Sequence, residues 1–362
     1  MAEEKQKGLG YYVTLGRSGL RVSPLALGTG TFGNRWGAGW SAEEPAIRAV
    51  FQAYSEEGGN FLDTADIYHT GLSEEYTGQL ARDFGGRDRF VIATKFTLGT
   101  TTGDPNANGN GRKNIVKSAE DSLKRLGTDY IDLYYMHWWD ALTPVEEVMS
   151  SLDALVRSGK VRYIGLSNPP AWYFAKGQTV AQFRGWEPVI ALQMQYNLLV
   201  RDIEDEYIDA AGEFGTAIVP WSPLANGLLS GKYRVENGKL TGAGRVVDGW
   251  VTDPNVDPTS ERTGRTIDAL VEVAKAIGAT PAQVALNWLQ TQPGVASTII
   301  GATKPEQVRD NIGALKIAIP AELRARLEEA SAPAPGYPYT LTMKNNRAAI
   351  LGQTDVRRQA PW

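Results

Sequence analysis

The sequence predicts an α/β protein closed into one (β/α)8 barrel, a TIM barrel. Three observations carry that prediction: eight short apolar runs, stretches of helical periodicity between most of them, and two long glycine-rich segments that each follow a run. The chain opens on a hairpin, with YYVTLG and LRVS flanking the turn Arg17-Ser18-Gly19. The runs then come in order as PLALG near Leu27, NFLDT near Leu62, FVIATK near Ile92 and YIDLYYMH near Leu133. KVRYIGLS near Tyr163, VIALQMQY near Leu192, TAIVPWS near Ile218 and ASTIIGA near Ile299 complete the set. Between runs, Ile115, Ala119, Leu123 and Leu126 share one helical face, and Val145, Val148, Leu152, Leu155 and Val156 share another. Strands that alternate with helices pair in parallel, and eight such units suit a closed barrel better than an open sheet. Leu98 to Lys113 and Leu224 to Arg262 interrupt the rhythm and read as long loops. Both follow strands, so both belong to the C-terminal face, where barrel enzymes build their sites. From Ala332 the chain carries Pro333, Pro335 and Pro338 and continues as a polar tail to Trp362. Residues 1–362 read as a single domain, with the barrel at about 12–331 and the tail at 332–362.

Composition excludes several function classes. The 362 residues are 42% hydrophobic and 22% charged, enough to bury a large core without staples. The absence of cysteine excludes disulfides, thiolate metal sites and cysteine nucleophiles. With only His69 and His137, a histidine-rich metal site is excluded too, and no metal is expected. A net charge of −4 without a long basic run gives no nucleic-acid footprint. The charged N-terminus MAEEKQKG is not a secretory signal, and no window approaches the roughly 18 apolar residues of a membrane span. A cytoplasmic location without membrane or nucleic-acid partners is expected, with a homo-oligomer left open.

Three consecutive strands end in ionisable residues: NFLD in Asp63, VIATK in Lys95 and LYYMH in His137. Parallel neighbours bring these ends to one rim, and Tyr68 leaves the same strand end as Asp63. Each residue alone has an ordinary explanation as a cap, a packing ring or a rim charge. Together they suit one chemistry. A carbonyl that receives hydride develops negative charge on oxygen and needs a proton. A free tyrosine has a pKa near 10. An ammonium within about 4–6 Å favours the phenolate and is expected to lower it. Asp63 can hold Lys95 charged, and His137 can orient the carbonyl, with Tyr68 as the general acid or base.

The run FLDTADIY followed by GLSEE resembles the aldo-keto reductase segment that carries the catalytic Asp and Tyr. VIATK and DLYYMHWWD resemble that family's lysine and histidine strands. LGTDYIDLY, VRYIGLSN, QMQYNLL, WSPLANGLLSGKY and IIGATKPEQVRDNIGAL follow in the family's order, from about Leu15 to Leu327. The branch it looks most like holds bacterial members and potassium-channel β-subunits. The resemblance implies an NADP-dependent oxidoreductase acting on a small carbonyl or alcohol through the tetrad Asp63, Tyr68, Lys95 and His137. His69 departs from the pattern, since many members have glycine there; a solvated side chain is expected.

The resemblance also implies NADP(H), with NAD(H) possible, bound across the barrel mouth without a Rossmann domain. Gly30 and Asp63 would border it. Ser167, Asn168 and Gln193 would hold the carboxamide, and Trp221 would stack on the nicotinamide. Ser222, Leu224, Gly227 and Lys232 would line the pyrophosphate loop. Gly301, Thr303, Lys304, Gln307 and Asn311 would take the adenosine end. Thr303 and Glu306 have capping-box spacing, so a helix N-terminus is expected there. Neither Thr303 nor Gln307 is the arginine with which some relatives grip a 2′-phosphate, which leaves the NADP preference open. Gly28, Gly30 and Gly33 spell G-x-G-x-x-G, but loop follows until about Glu43, so this is no dinucleotide fingerprint. GLLSGKY is one residue short of a phosphate loop.

Phe32, Trp36, Phe96 and Trp138, with Trp172 nearby, fall on mouth loops and are expected to form an aromatic substrate pocket. The rival to an active enzyme is a slow or non-catalytic nucleotide-binding auxiliary subunit, since some barrels of this family serve channels.

Overall fold

Each of the eight runs forms a strand, and the reason is burial on both sides. The computed structural model describes residues 9–37, 39–334 and 336–356, except the side chains of 343–345. The N-terminal octapeptide and the end of the tail, Trp362 included, lie outside the described residues. The barrel strands are β3 (Leu25–Gly28), β4 (Phe61–Asp63), β5 (Val91–Phe96), β6 (Ile131–Met136), β7 (Val161–Ser167), β8 (Val189–Gln195), β9 (Ala217–Trp221) and β12 (Thr298–Ile300). They pair in parallel in the order β12-β3-β4-β5-β6-β7-β8-β9. A parallel bridge between Ile218 and Val295 spans the remaining seam.

Side chains along each strand alternate between lumen and helix layer. Ala26, Phe61, Ala93, Leu133, Tyr135, Ala191 and Val219 cluster in the lumen. Leu27, Leu62, Ile92, Tyr134, Leu192 and Ile300 cluster outside it, with the helices. Both faces are dry, so the strands read as near-continuous apolar runs. The predicted hairpin is β1 (Val13–Thr14) with β2 (Arg21–Val22), paired antiparallel. Its Leu15 and Val22 join the lumen cluster and close the floor.

The outer layer holds α1 (Glu44–Glu56), α2 (Leu72–Asp83), α3 (Arg112–Leu126), α4 (Val145–Arg157), α5 (Ala171–Arg184), α6 (Tyr207–Phe214), α7 (Glu261–Ile277), α8 (Pro281–Gln290), α9 (Pro305–Gly313) and α10 (Ala321–Ser331). The periodic faces behave as predicted: Ile115, Ala119 and Leu126 of α3, and Val145, Val148, Leu152 and Leu155 of α4, are buried. The segment from Leu224 is more ordered than a plain loop. It holds a second hairpin, β10 (Tyr233–Glu236) with β11 (Lys239–Gly242), turning on Asn237 and Gly238, both at positive φ. The tail is not simply irregular either; it includes α11 (Met343–Leu351). Among the described residues, no single helix is long and apolar enough to cross a membrane.

Candidate active site

Strand alternation aims the chemistry. Phe61 points into the lumen, so Asp63 does too; Ala93 and Leu133 in the same way aim Lys95 and His137. Tyr68 joins them from a 3-10 turn, Tyr68–Gly71, just beyond β4. The Lys95 ammonium spends its three donors on Asp63 Oδ1 at 2.5 Å, the Thr64 carbonyl at 2.9 Å and Tyr68 Oη at 3.2 Å. Gln193 Nε2 donates to the other Asp63 oxygen at 2.7 Å. The His137 ring stands edge-on to Tyr68, centroids 6.0 Å apart. The four residues meet as the sequence predicts.

Burial sets the protonation states. Lys95 is 0% exposed, which disfavours its charge, yet Asp63 and Tyr68 outweigh that and raise its pKa. Burial pushes the Tyr68 phenol above its ordinary value, and Lys95 pulls it back only in part. This corrects the expected net lowering: the lysine acts in the anticipated direction, but desolvation wins, and resting Tyr68 is a neutral proton donor. Burial, then the Lys95 charge, holds His137 well below its usual value, so its ring is neutral. His137 Nδ1 has no hydrogen-bond partner among the described residues.

The residues expected to take a nucleotide line the adjoining rim. Ser167 and Trp221 end β7 and β9, and Gln193 sits opposite Ser167, two residues before the end of β8. Asn168, in the left-handed region, donates to Ser167 Oγ at 3.0 Å and accepts from Trp221 Nε1 at 3.1 Å, which fixes the indole. Ser222, also left-handed, buries an Oγ with no partner. Leu224 opens a 3-10 turn in which Gly227 has φ 100°. A side chain at Gly227 would be strained, and its Cβ would lie 3.8 Å from the Lys232 ammonium. Lys232 has no ion pair among the described residues. An orphaned hydroxyl and an ammonium that, among the described residues, meets only the Tyr233 ring fit a diphosphate.

At the adenosine end, Gly301 is exposed and Asn311 is buried at 5%. Helix α9 starts one residue later than expected, with Lys304 as N-cap rather than Thr303. Pro305 suits the first helical position, and Gln307, not Glu306, closes the turn. Gln307 Oε1 accepts from the Thr303 and Lys304 backbone N–H groups at 2.8 and 3.2 Å.

The expected aromatic pocket divides. Trp36 stands edge-on to Tyr68 at 5.8 Å, and Gly30 abuts the same phenol ring. Trp138, 53% exposed, stands edge-on to His137 at 6.3 Å. Trp172 packs instead against Trp139 and Tyr173. Phe96 and Phe32 do not line the mouth. Phe96 is one residue past Lys95, so alternation turns it outward onto Tyr134. Phe32 is 1% exposed and packs in the same outer core. His69 is not solvated but 0% exposed, held by backbone of the loop after β3.

Sequence reasoning passed over Arg245. Its guanidinium donates to the carbonyls of Gly39 and Asn226 and lies over the Trp40 ring, joining the loop after β3 to the loop after β9. No motif marks it. A cavity of about 830 Å³ lies at the opposite end, between the floor hairpin, α8 and Arg324, and none of the tetrad lines it. Among the described residues no cluster suits a metal ion.

The profile described as the Aldo/keto reductase family matches residues 24–332. An aryl-alcohol dehydrogenase [NADP(+)] of Phanerodontia chrysosporium is 34% identical over 89% of this chain and 86% of its own. A norsolorinic acid reductase of Aspergillus flavus is 33% identical over 93% and 85%. A probable voltage-gated potassium channel subunit beta of Oryza sativa subsp. japonica is 36% identical over 84% and 91%.

Proposed function

The chain belongs to the aldo/keto reductase family, and on that premise we propose that it interconverts aryl carbonyls and aryl alcohols with NADP(H), using Tyr68 as general acid or base. The observation that carries the reading is the single ammonium shared between Asp63 and Tyr68. The bound nicotinamide would supply or accept the hydride. Tyr68 gives its proton to the carbonyl oxygen. Lys95, 3.2 Å away, stabilises the phenolate left behind. Asp63, fixed by Lys95 and Gln193, keeps the ammonium in place. Neutral His137 presents its ring to the same oxygen and orients it. Ser167, Asn168 and Trp221 would hold the nicotinamide, Ser222, Lys232 and Arg245 the phosphates, and Thr303, Lys304, Gln307 and Asn311 the adenosine. The aryl preference rests on the name of the Phanerodontia chrysosporium relative and on Trp36 and Trp138 flanking the tetrad.

The test is NADPH consumption with 4-nitrobenzaldehyde by wild type and Tyr68→Phe. The variant is expected to bind NADPH normally and to lose about 10²–10⁴-fold in kcat. Tight nucleotide binding by wild type, with no turnover of a broad carbonyl panel, favours the auxiliary-subunit reading, for which the rice relative speaks. No nucleotide binding contradicts both readings.

A further inference from the structure

His69 is the residue after the proposed proton donor, and its ring is wholly enclosed. Nδ1 accepts from the backbone N–H groups of Arg35 and Trp36, at 3.1 and 3.2 Å. Nε2 faces the carbonyls of Gly30 and Trp40, at 3.2 and 3.0 Å. An acceptor on one side and two carbonyls on the other assign the proton to Nε2. One neutral imidazole thus satisfies four backbone groups spread along residues 30–40. Gly33 presses on the same ring. A Cβ there would lie 2.6 Å from His69 Cγ, so only glycine fits at this contact. The Trp36 indole stacks on the imidazole with centroids 4.7 Å apart and an angle of 30°. Its edge then meets Tyr68. Outside the ring, the Arg35 guanidinium reaches the His69 and Thr70 carbonyls.

We propose that His69 is a positioning residue: it staples the loop after β3 to the tyrosine turn and so holds Trp36 as one wall of the carbonyl site. The loop's other ties include the bridges of Phe32 and Gly33 to Ala42 and the Arg245 bond to Gly39, and apart from Phe32 little of its described part enters the core. Without the imidazole its backbone groups would turn to water, and Trp36 would lose both its platform and its place beside the phenol. A flat aryl substrate uses that wall; a small aliphatic aldehyde does not reach it. The inference rests on the oxidoreductase reading for its consequence in kinetics but not for its structural part.

His69→Gly is the informative variant. His69 has φ 49°, which glycine adopts freely, so the turn survives while the ring is removed. KM for 4-nitrobenzaldehyde is expected to rise about five- to tenfold, the worth of one aromatic edge contact, with kcat within about twofold. For propanal, both constants are expected to stay as in wild type. His69→Asn tolerates left-handed backbone and restores an acceptor near the Nδ1 position, so it should recover part of the loss. Trp36→Ala should reproduce His69→Gly, and the double variant should be no worse than either. Equal losses for both aldehydes, an unchanged KM in His69→Gly, or additive losses in the double variant overturn the proposal. Wild type without turnover sinks the functional reading instead. The staple is then judged by 19F NMR of 5-fluorotryptophan protein, with the Trp36 signal assigned from Trp36→Phe. A shift of that signal toward a solvent-exposed position in His69→Gly supports the staple, and an unmoved signal overturns it.

Discussion

Two parts of one rim are held together by opposite means. At the ends of β4 and β5 an ion pair, Lys95 with Asp63, is closed off from water and every donor of the ammonium is used. A few residues away, the loop after β3 is held by a neutral ring bonded to backbone. The charged pair fixes a proton position and is costly to disturb, because either partner left alone is a buried bare charge. The neutral staple fixes a surface and can be lost more cheaply. Catalytic power and substrate fit are therefore expected to separate along this line.

The largest break should come from the ion pair. Lys95→Met leaves Asp63 buried with only Gln193 for company. It is expected to cost about 3–5 kcal/mol of stability, and activity should fall by at least about 10²-fold. Denaturant unfolding and NADPH kinetics measure the two losses. If stability and rate hardly change, the charged half of the comparison fails.

The pH profiles sharpen it. Burial keeps the Tyr68 phenol protonated beyond its ordinary range, so the acid form is present throughout neutral pH. Carbonyl reduction should stay flat across neutral pH and decline only on the far alkaline side. Alcohol oxidation needs the phenolate and should rise with pH, by about tenfold per unit while the phenol remains mostly protonated. A reduction rate that collapses between neutral and mildly alkaline pH would show a much more acidic group at work.

Phe96 and Trp138 give the smaller contrast. Phe96→Ala should cost about 3–5 kcal/mol of stability, as a fully buried ring does, with KM for aryl aldehydes unchanged. Trp138→Ala should leave the unfolding midpoint alone and raise aryl KM a few-fold, roughly the value of one exposed aromatic contact. Opposite results would return Phe96 to the pocket.

The same contrast explains what the sequence made legible. Strands buried on both faces leave long apolar runs, so all eight stood out, and the residues ending them marked the rim. The two-residue alternation that carries Lys95 inward also carries Phe96 outward. Proximity to the mouth suggests a pocket residue in Phe96, but that alternation turns its ring onto Tyr134. The β10–β11 hairpin had a readable signal in Asn237-Gly238, masked by the many other turn residues around it. Arg245 had none, and His69 had only its departure from the family pattern, which does not say what the ring holds. Their partners are backbone carbonyls and N–H groups of distant loops, which every residue type supplies, so no side-chain pattern points to them.

The central claim is that Lys95 acts through Tyr68, and a double-mutant cycle on hydride transfer tests it most directly. Single-turnover rates with saturating NADPH would be compared for wild type, Tyr68→Phe, Lys95→Met and the double variant. If the ammonium serves the phenol, the double variant is no slower than Tyr68→Phe alone. Fully additive losses would mean the two groups act independently, and the account would be wrong.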